Sequence, residues 1–347
     1  MSDSQPSRQR IIAVEEAFAN ESWIRELAAL TPPSGEQPEQ DFMNLVTDIP
    51  AMRRALTDID LRLQVMDATG VDVHLLSFTA PGVQMHEQHR ATELAAQLND
   101  ELVGVIGRHP DRFAGLGSIA PQSPDRAAQE IERIMGPLGL SGLVINSHTY
   151  GRYLDEPECA PILAAAEASG ATIYLHPRVP SPAMLEPYSR YGMLAALWDF
   201  AAEAGTHALR LIMSGAFDRF PRLRIVLGHA GEALPYWVYR LDNMARKTWA
   251  VGGEKLGMRK LDLTPSEYLK RNFGVSTSGM EDPDVLKFCI NKLGEENVMF
   301  AIDYPYESSK HAVDFLNAAP LTDHQRALFS HRNAERFFRI LPTTAGS

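Results

Sequence analysis

Val298-Met299-Phe300-Ala301-Ile302-Asp303-Tyr304-Pro305 is an apolar run that ends in a carboxylate. It is the last of a series built alike. Ile11-Ile12-Ala13-Val14 runs into Glu15, Thr172-Ile173-Tyr174-Leu175 into His176, and Arg224-Ile225-Val226-Leu227-Gly228 into His229. A parallel strand covered by helices on both faces reads as a short continuous apolar run rich in β-branched residues. A charged or metal-binding residue at its C-terminal end stands where the strand meets solvent. When four such ends carry Glu, His, His and Asp, a shared metal and catalytic site is the economical reading.

Working outward, strand-like runs fall at 11–15, 71–78, 113–119, 142–147, 172–176, 224–229, 273–278 and 298–303. Amphipathic helical patterns fill most gaps, including Arg90 to Gly107 and Asp125 to Met135. Eight strands alternating with helices predict the α/β class and a single (β/α)8 TIM-like barrel over residues 1–347. The rival doubly wound sheet would carry a glycine-rich dinucleotide turn after its first strand, and none follows Glu15. Two insertions stand out. One, at about 29–50, contains Pro32-Pro33-Ser34-Gly35-Glu36-Gln37-Pro38 and lies on the rim where loops build sites. A lid, a partner contact and an irregular surface loop all fit it. The other, at about 247–266, contains Gly252-Gly253 and is assigned no function.

Composition narrows the function. The 347 residues carry a net charge of −11, with 45% hydrophobic and 22% charged residues, as a globular enzyme does. An acidic chain without a basic tract argues against nucleic acid as the main partner. No apolar stretch is long enough to span a bilayer. Met1-Ser2-Asp3-Ser4-Gln5 shows no signal-peptide pattern. Cys159 and Cys289 lack a CxxC spacing, so two structural thiols and a reducing cytoplasm are expected, with no disulfide or thiolate zinc site.

Glu15, His176 and Asp303, from strands one, five and eight, could converge on one divalent cation. Two carboxylates and an imidazole leave coordination positions open for water and substrate, as catalysis requires. The oxygen-rich set leans toward Mn²⁺ and remains compatible with Zn²⁺. His229 lies three residues before Glu232 in Gly228-His229-Ala230-Gly231-Glu232. Glu232 is placed at the start of a helix, where it could hold the imidazole cationic for acid–base work or serve as a helix cap.

These residues sit within longer stretches that resemble the amidohydrolase superfamily, and within it the non-oxidative aromatic acid decarboxylases. The matching stretches include Ala13-Val14-Glu15-Glu16-Ala17-Phe18, Thr79-Ala80-Pro81-Gly82-Val83-Gln84 and His109-Pro110-Asp111-Arg112-Phe113. Tyr174-Leu175-His176-Pro177, Gly228-His229-Ala230-Gly231-Glu232-Ala233-Leu234-Pro235-Tyr236-Trp237 and Ile302-Asp303-Tyr304-Pro305-Tyr306 follow in order. Asn146-Ser147-His148-Thr149-Tyr150-Gly151-Arg152-Tyr153-Leu154-Asp155 is most similar to the branch acting on 5-carboxyvanillate. Asp58-Ile59-Asp60-Leu61-Arg62-Leu63 with Thr79-Ala80-Pro81-Gly82 is similar to the 2,3-dihydroxybenzoate branch. Both branches share Glu-x-Ala where superfamily hydrolases carry His-x-His, whereas the resorcylate branch keeps a histidine at the second position. The strand-four lysine of binuclear members is replaced by Val144-Ile145-Asn146-Ser147.

The resemblance implies a single divalent metal, no organic cofactor, and an aromatic acid hydroxylated ortho to its carboxylate as substrate. Asp303 would protonate the ring carbon that bears the carboxylate, with His229 and Glu232 assisting. The reaction would run backward at high bicarbonate. Tyr306 would touch the substrate. Arg240 would reach a neighbouring subunit's site in a homodimer or homotetramer, although an ion pair with Asp242 fits the sequence equally. Substrate choice would lie in loops 29–54 and 178–192, with Arg53 and Arg54 able to reach the site. Arg178 could pair with a second carboxylate but reads more safely as a solvated loop charge, and His148 reads as a loop residue rather than a ligand. A mononuclear hydrolase of a lactone or amide is the alternative reading, and a barrel kept only as a binding scaffold is a third.

Overall fold

The computed structural model describes residues 9–341, and Met1 to Gln5 lie outside them. Its eight strands are β1 (Ile12–Phe18), β2 (Val73–Phe78), β3 (Phe113–Ser118), β4 (Gly142–Asn146), β5 (Thr172–His176), β6 (Arg224–Leu227), β7 (Phe273–Ser276) and β8 (Val298–Met299). They pair in parallel in chain order, β1 through β8, with helices in the connections, which is the expected TIM-like barrel. The helical patterns at 90–107 and 125–135 appear as helices Gln88–Arg108 and Pro124–Met135.

Two apolar layers follow from the strand alternation. Ile12, Val14, Val73, Leu75, Leu116, Val144, Tyr174, Val226 and Met299 fill the barrel interior with Phe337 and Phe338. The second layer, which includes Ile11, Ala13, Leu143, Ile173 and Ile225, packs between sheet and helices. Phe338 closes the interior at the N-terminal rim by stacking on Tyr174, ring centroids 6.4 Å apart. The C-terminal rim is left open for chemistry.

Most strand boundaries fall within two residues of the reading of the sequence, and the ends of β1 and β8 differ by more. β1 does not end at Glu15 but runs on to Phe18, and its register against β2 shifts between Ala13 and Glu16. That bulge inserts one residue and re-aims the side chains after it. β8 is regular only over Val298–Met299, and residues 300–304 leave the ladder. The join between β8 and β1 is therefore a loose seam. It is stitched by Val14 N–H donating to the Phe300 carbonyl at 3.2 Å, Asp303 N–H to the Glu15 carbonyl at 3.1 Å, and an isolated bridge between Glu16 and Tyr304.

The 29–50 insertion is ordered rather than irregular: after the turn at Pro32–Gly35, residues Gln37–Asp48 form a helix. At 247–266, a long helix continues to Ala250, a short turn covers Gly253–Leu256, and the next helix starts at Pro265.

Candidate active site

Glu15 lies almost fully buried in the seam. Period-two alternation would place it with Ala13 against the helices, but the bulge brings it to Tyr174 and Ser276 of the interior. One oxygen accepts hydrogen bonds from the Tyr174 and Ser278 hydroxyls and from Ser276 Oγ at 3.1 Å. Gly228 makes room for this carboxylate, since a Cβ there would stand 2.7 Å from the same oxygen. The other oxygen, Oε1, is buried, has no hydrogen-bond partner, and lies 3.6 Å from His176 Nε2. Burial would push the Glu15 carboxyl up, but the charges of His229 and His176 and the two hydroxyls outweigh it and hold the group ionised.

His176 is the last residue of β5. Its Nδ1 lies 2.6 Å from the Pro177 carbonyl, which only an N–H can approach as a donor. Nδ1 therefore carries a proton, and Nε2 is the nitrogen that faces Glu15 Oε1. A buried carboxylate oxygen without a hydrogen-bond partner and a facing imidazole nitrogen are two potential ligands, which a bound cation would satisfy. The residues thus fit a hard or borderline divalent ion. Among the described residues, no three His, Cys, Asp or Glu side chains already close around one point, so Glu15, His176 and Asp303 flank the position without forming a finished cage.

Across the rim, His229 Nδ1–H donates to Glu232 Oε1 at 2.8 Å, and Nε2 lies 3.9 Å from Asp303 Oδ2. Glu232 does not open a right-handed helix, as the sequence suggested. His229, Ala230, Gly231, Glu232 and Ala233 all have positive φ, a left-handed turn, and the regular helix starts at Leu234. This turn, rather than a helix dipole, brings residues three apart face to face. Burial opposes charge on His229, yet Glu232, Glu15 and Asp303 prevail and hold the imidazole protonated well above its ordinary range. Asp303 moves the other way: burial, with the Glu15 charge beside it, raises its carboxyl above the usual aspartate range against the pull of His229. A carboxyl whose hold on a proton is strengthened, set beside a cationic imidazole, is suited to proton delivery.

His229, Glu232 and Asp303 form the base of a cleft of about 620 Å³, the size of a small-molecule site. Its walls are mainly apolar, with Trp198, Phe200, Tyr236, Met280, Val285 and Phe288, and Asp282, Asp284 and Glu307 stand at its edge. Tyr306 lies in the turn after Asp303, its hydroxyl 2.6 Å from Thr79 Oγ1, and is not part of this lining. Arg240 does not line the cleft that holds Asp303; it is exposed on helix Leu234–Ala250, in a depression with Trp237 and Met244. Asp242 instead binds Ser266, and among the described residues no ion pair joins it to Arg240.

Arg178 is not a solvated loop charge. It is fully buried, paired with Glu36 and with Glu39 at 3.2 Å, and it donates to the His148 carbonyl at 3.3 Å. It clamps the 29–50 insertion to the exit of β5, a long-range pairing that no local spacing announces. Arg53 and Arg54 do not reach the site, because they pair with Glu21 and Asp58. His148 is a loop residue as expected, but buried. Among residues the sequence left unmarked, Tyr174, Ser276 and Ser278 hold Glu15, and Glu16 bonds to the turn that carries Asp303. A tyrosine and serines inside apolar strands were the available signal for the first group.

Comparison with known proteins places these features in context. The sequence profile of the amidohydrolase family matches residues 25–340. Gamma-resorcylate decarboxylase of Rhizobium radiobacter is 33% identical over 338 residues, covering 95% of this chain and 98% of its own. The crystal structure of 5-carboxyvanillate decarboxylase from Sphingomonas paucimobilis matches with a TM-score of 0.91 and 45% identity, over 96% of this chain and 100% of that one. The 5-carboxyvanillate decarboxylase of Novosphingobium aromaticivorans, complexed with manganese and 4-hydroxy-3-methoxy-5-nitrobenzoic acid, matches with a TM-score of 0.89 and 37% identity, over 96% of each chain.

Proposed function

The chain belongs to the amidohydrolase family, and from that premise we propose that it is a carboxy-lyase, removing CO2 without oxidation from an aromatic acid hydroxylated ortho to its carboxylate. The observation that carries this reading is Asp303, its carboxyl raised above the usual aspartate range by burial, beside the Glu232-supported His229 on the wall of an apolar cleft.

Asp303 gives its proton to the ring carbon that bears the carboxylate. The bond from that carbon to the carboxylate then breaks, its electron pair restores aromaticity, and CO2 leaves. Asp303 recovers a proton from solvent, so the sum is one arenecarboxylate and one proton converted to one arene and one CO2. His229, kept cationic by Glu232, stabilises the carboxylate that Asp303 becomes and hydrogen-bonds the phenolic oxygen. The apolar walls exclude water, which strengthens both interactions. Tyr306, in the turn after Asp303 and outside the cleft lining, would meet the substrate only on the side where its hydroxyl binds Thr79. Glu15, His176 and Asp303 would hold one divalent ion, manganese in preference to zinc, which supplies Lewis acidity toward the hydroxy-acid group. No organic cofactor is called for, because the protonated ring itself takes up the electron pair that the broken bond releases. Arg240 would complete the site of a neighbouring copy in a homodimer or homotetramer, supported by the exposed Tyr236, Trp237 and Tyr239 around it.

The test is CO2 release from 5-carboxyvanillate, 2,3-dihydroxybenzoate and 2,6-dihydroxybenzoate, with and without added Mn²⁺. We expect metal-dependent release from at least one acid and none from Asp303→Asn. Silence across the panel from protein with stoichiometric metal would overturn the assignment.

A further inference from the structure

Three consecutive backbone N–H groups in the turn that carries Asp303 are directed at β1. Ile302 donates to Glu16 Oε1 at 3.0 Å, Asp303 to the Glu15 carbonyl at 3.1 Å, and Tyr304 to Glu16 Oε2 at 3.2 Å. Asp303 itself has φ 74°, a left-handed conformation that a residue with a Cβ keeps only where its surroundings impose it. Glu16 supplies that constraint, one oxygen to each amide flanking Asp303.

Glu16 is in turn immobilised. It is fully buried, as are Arg62 and His74. Arg62 donates to the Ala17 carbonyl and lies over the Tyr304 ring, 4.4 Å from its centroid. Arg62 Nη1 stands 3.4 Å from His74 Nδ1, so that nitrogen is the acceptor and the imidazole is neutral. The 3.8 Å approach of His74 Nδ1 to Glu16 is therefore packing rather than an ion pair. None of Glu16, Arg62 and His74 lines the cleft. Buried polar groups stabilise a fold poorly compared with apolar side chains of equal size, and here three of them gather beside one turn.

We propose that Glu16 is a positioning residue: by binding the amides on both sides of Asp303 it fixes where the Asp303 carboxylate stands relative to Glu15 and His229, while Arg62 holds the Ala17 carbonyl next in the chain and the Tyr304 ring, and His74 packs against Glu16. This rests on Asp303 belonging to the site. Glu16→Gln keeps the volume but turns an NH2 donor toward an N–H donor, so one of the two amides loses its acceptor.

In folded Glu16→Gln protein, the dissociation constant for Mn²⁺, measured by titrating chelator-stripped enzyme, should rise about 10–100-fold. The kcat for CO2 release should fall about 100-fold, as for a misplacement of roughly 1 Å, while KM changes little. Wild-type Mn²⁺ affinity and kcat in a folded variant would overturn the proposal, and so would a loss of thermal stability alone. If Glu16→Gln does not fold, Arg62→Lys, which keeps the charge but loses the fork joining Ala17 and His74, is read by the same criteria. A wild-type enzyme that binds Mn²⁺ but releases no CO2 would instead defeat the decarboxylase reading, and Mn²⁺ affinity then decides the role of Glu16.

Discussion

At the scale of single residues, the site depends on one absent side chain. Gly228 has an ordinary φ of −71°, so its backbone does not require glycine. The requirement is spatial, because a Cβ would collide with both Glu15 oxygens, at 2.7 and 2.9 Å. Gly228→Ala should therefore fold normally yet displace the Glu15 carboxylate from its hydroxyl partners. We expect Mn²⁺ affinity to drop about 10–100-fold with activity following it, read by titration and CO2 release. An unaltered affinity would show that Glu15 has slack. Glu15, His176, His229 and Asp303 could be singled out as candidates from the sequence because polar residues at the ends of apolar runs have few structural uses, and Glu232 by its spacing from His229. Glu16 was not, since its role depends on a bulge that reverses which of two neighbouring glutamates faces the interior. Arg178 misled for a related reason, as its partners Glu36 and Glu39 come from an insertion about 140 residues earlier in the chain.

At the scale of elements, the segment leaving β4 is fastened by two buried neutral histidines. His207 Nε2 accepts from Leu154 N–H at 3.0 Å, and His148 Nδ1 accepts from Gly151 N–H at 3.2 Å. Both bonds need an unprotonated nitrogen. Burial pushes each imidazole down to about 3. Above pH ~6.5, the ordinary histidine value, neither state binds the proton and no pH dependence follows. Below it, the unfolded chain takes up protons that the folded one refuses. Stability is then lost as pH falls toward 3, by up to about 1.4 kcal/mol per pH unit for each histidine. Urea midpoints at pH 7.5 and 5.5 should differ more for the wild type than for His207→Gln, and equal differences would remove His207 from the account. The strands themselves were readable to within a few residues. The exceptions lie at the seam, where β1 overran its expected end and β8 stopped short. Continuity of an apolar run does not reveal where ladder hydrogen bonds give way to side-chain acceptors.

At the scale of the whole molecule, helix Leu234–Ala250 presents Tyr236 and Tyr239 at 76% and 79% exposure beside Arg240. Isolated exposed aromatics are ordinary, but a cluster on one helix face marks an association surface. If Arg240 serves a neighbour's site, two inactive variants should rescue each other. Arg240→Ala and Asp303→Asn, co-expressed, would assemble mixed oligomers in which some sites combine an intact Asp303 with an intact Arg240 from the other copy. Partial return of CO2 release is expected, and no return would confine Arg240 to its own surface. From sequence the arginine was visible only through family resemblance, because nothing local to Tyr239-Arg240-Leu241-Asp242 distinguishes an interface from a solvated helix face.

The seam between β8 and β1 has a further consequence for how the protein comes into being. The hydrogen bond from Tyr304 to Glu16 joins residues 288 positions apart, and Glu15 and Asp303 meet across the same join. A ribosome that has made the chain as far as strand seven has placed Glu15, His176, His229 and Glu232 but has yet to make Asp303. The site is complete only when the first strand and the last are both present and the ring shuts.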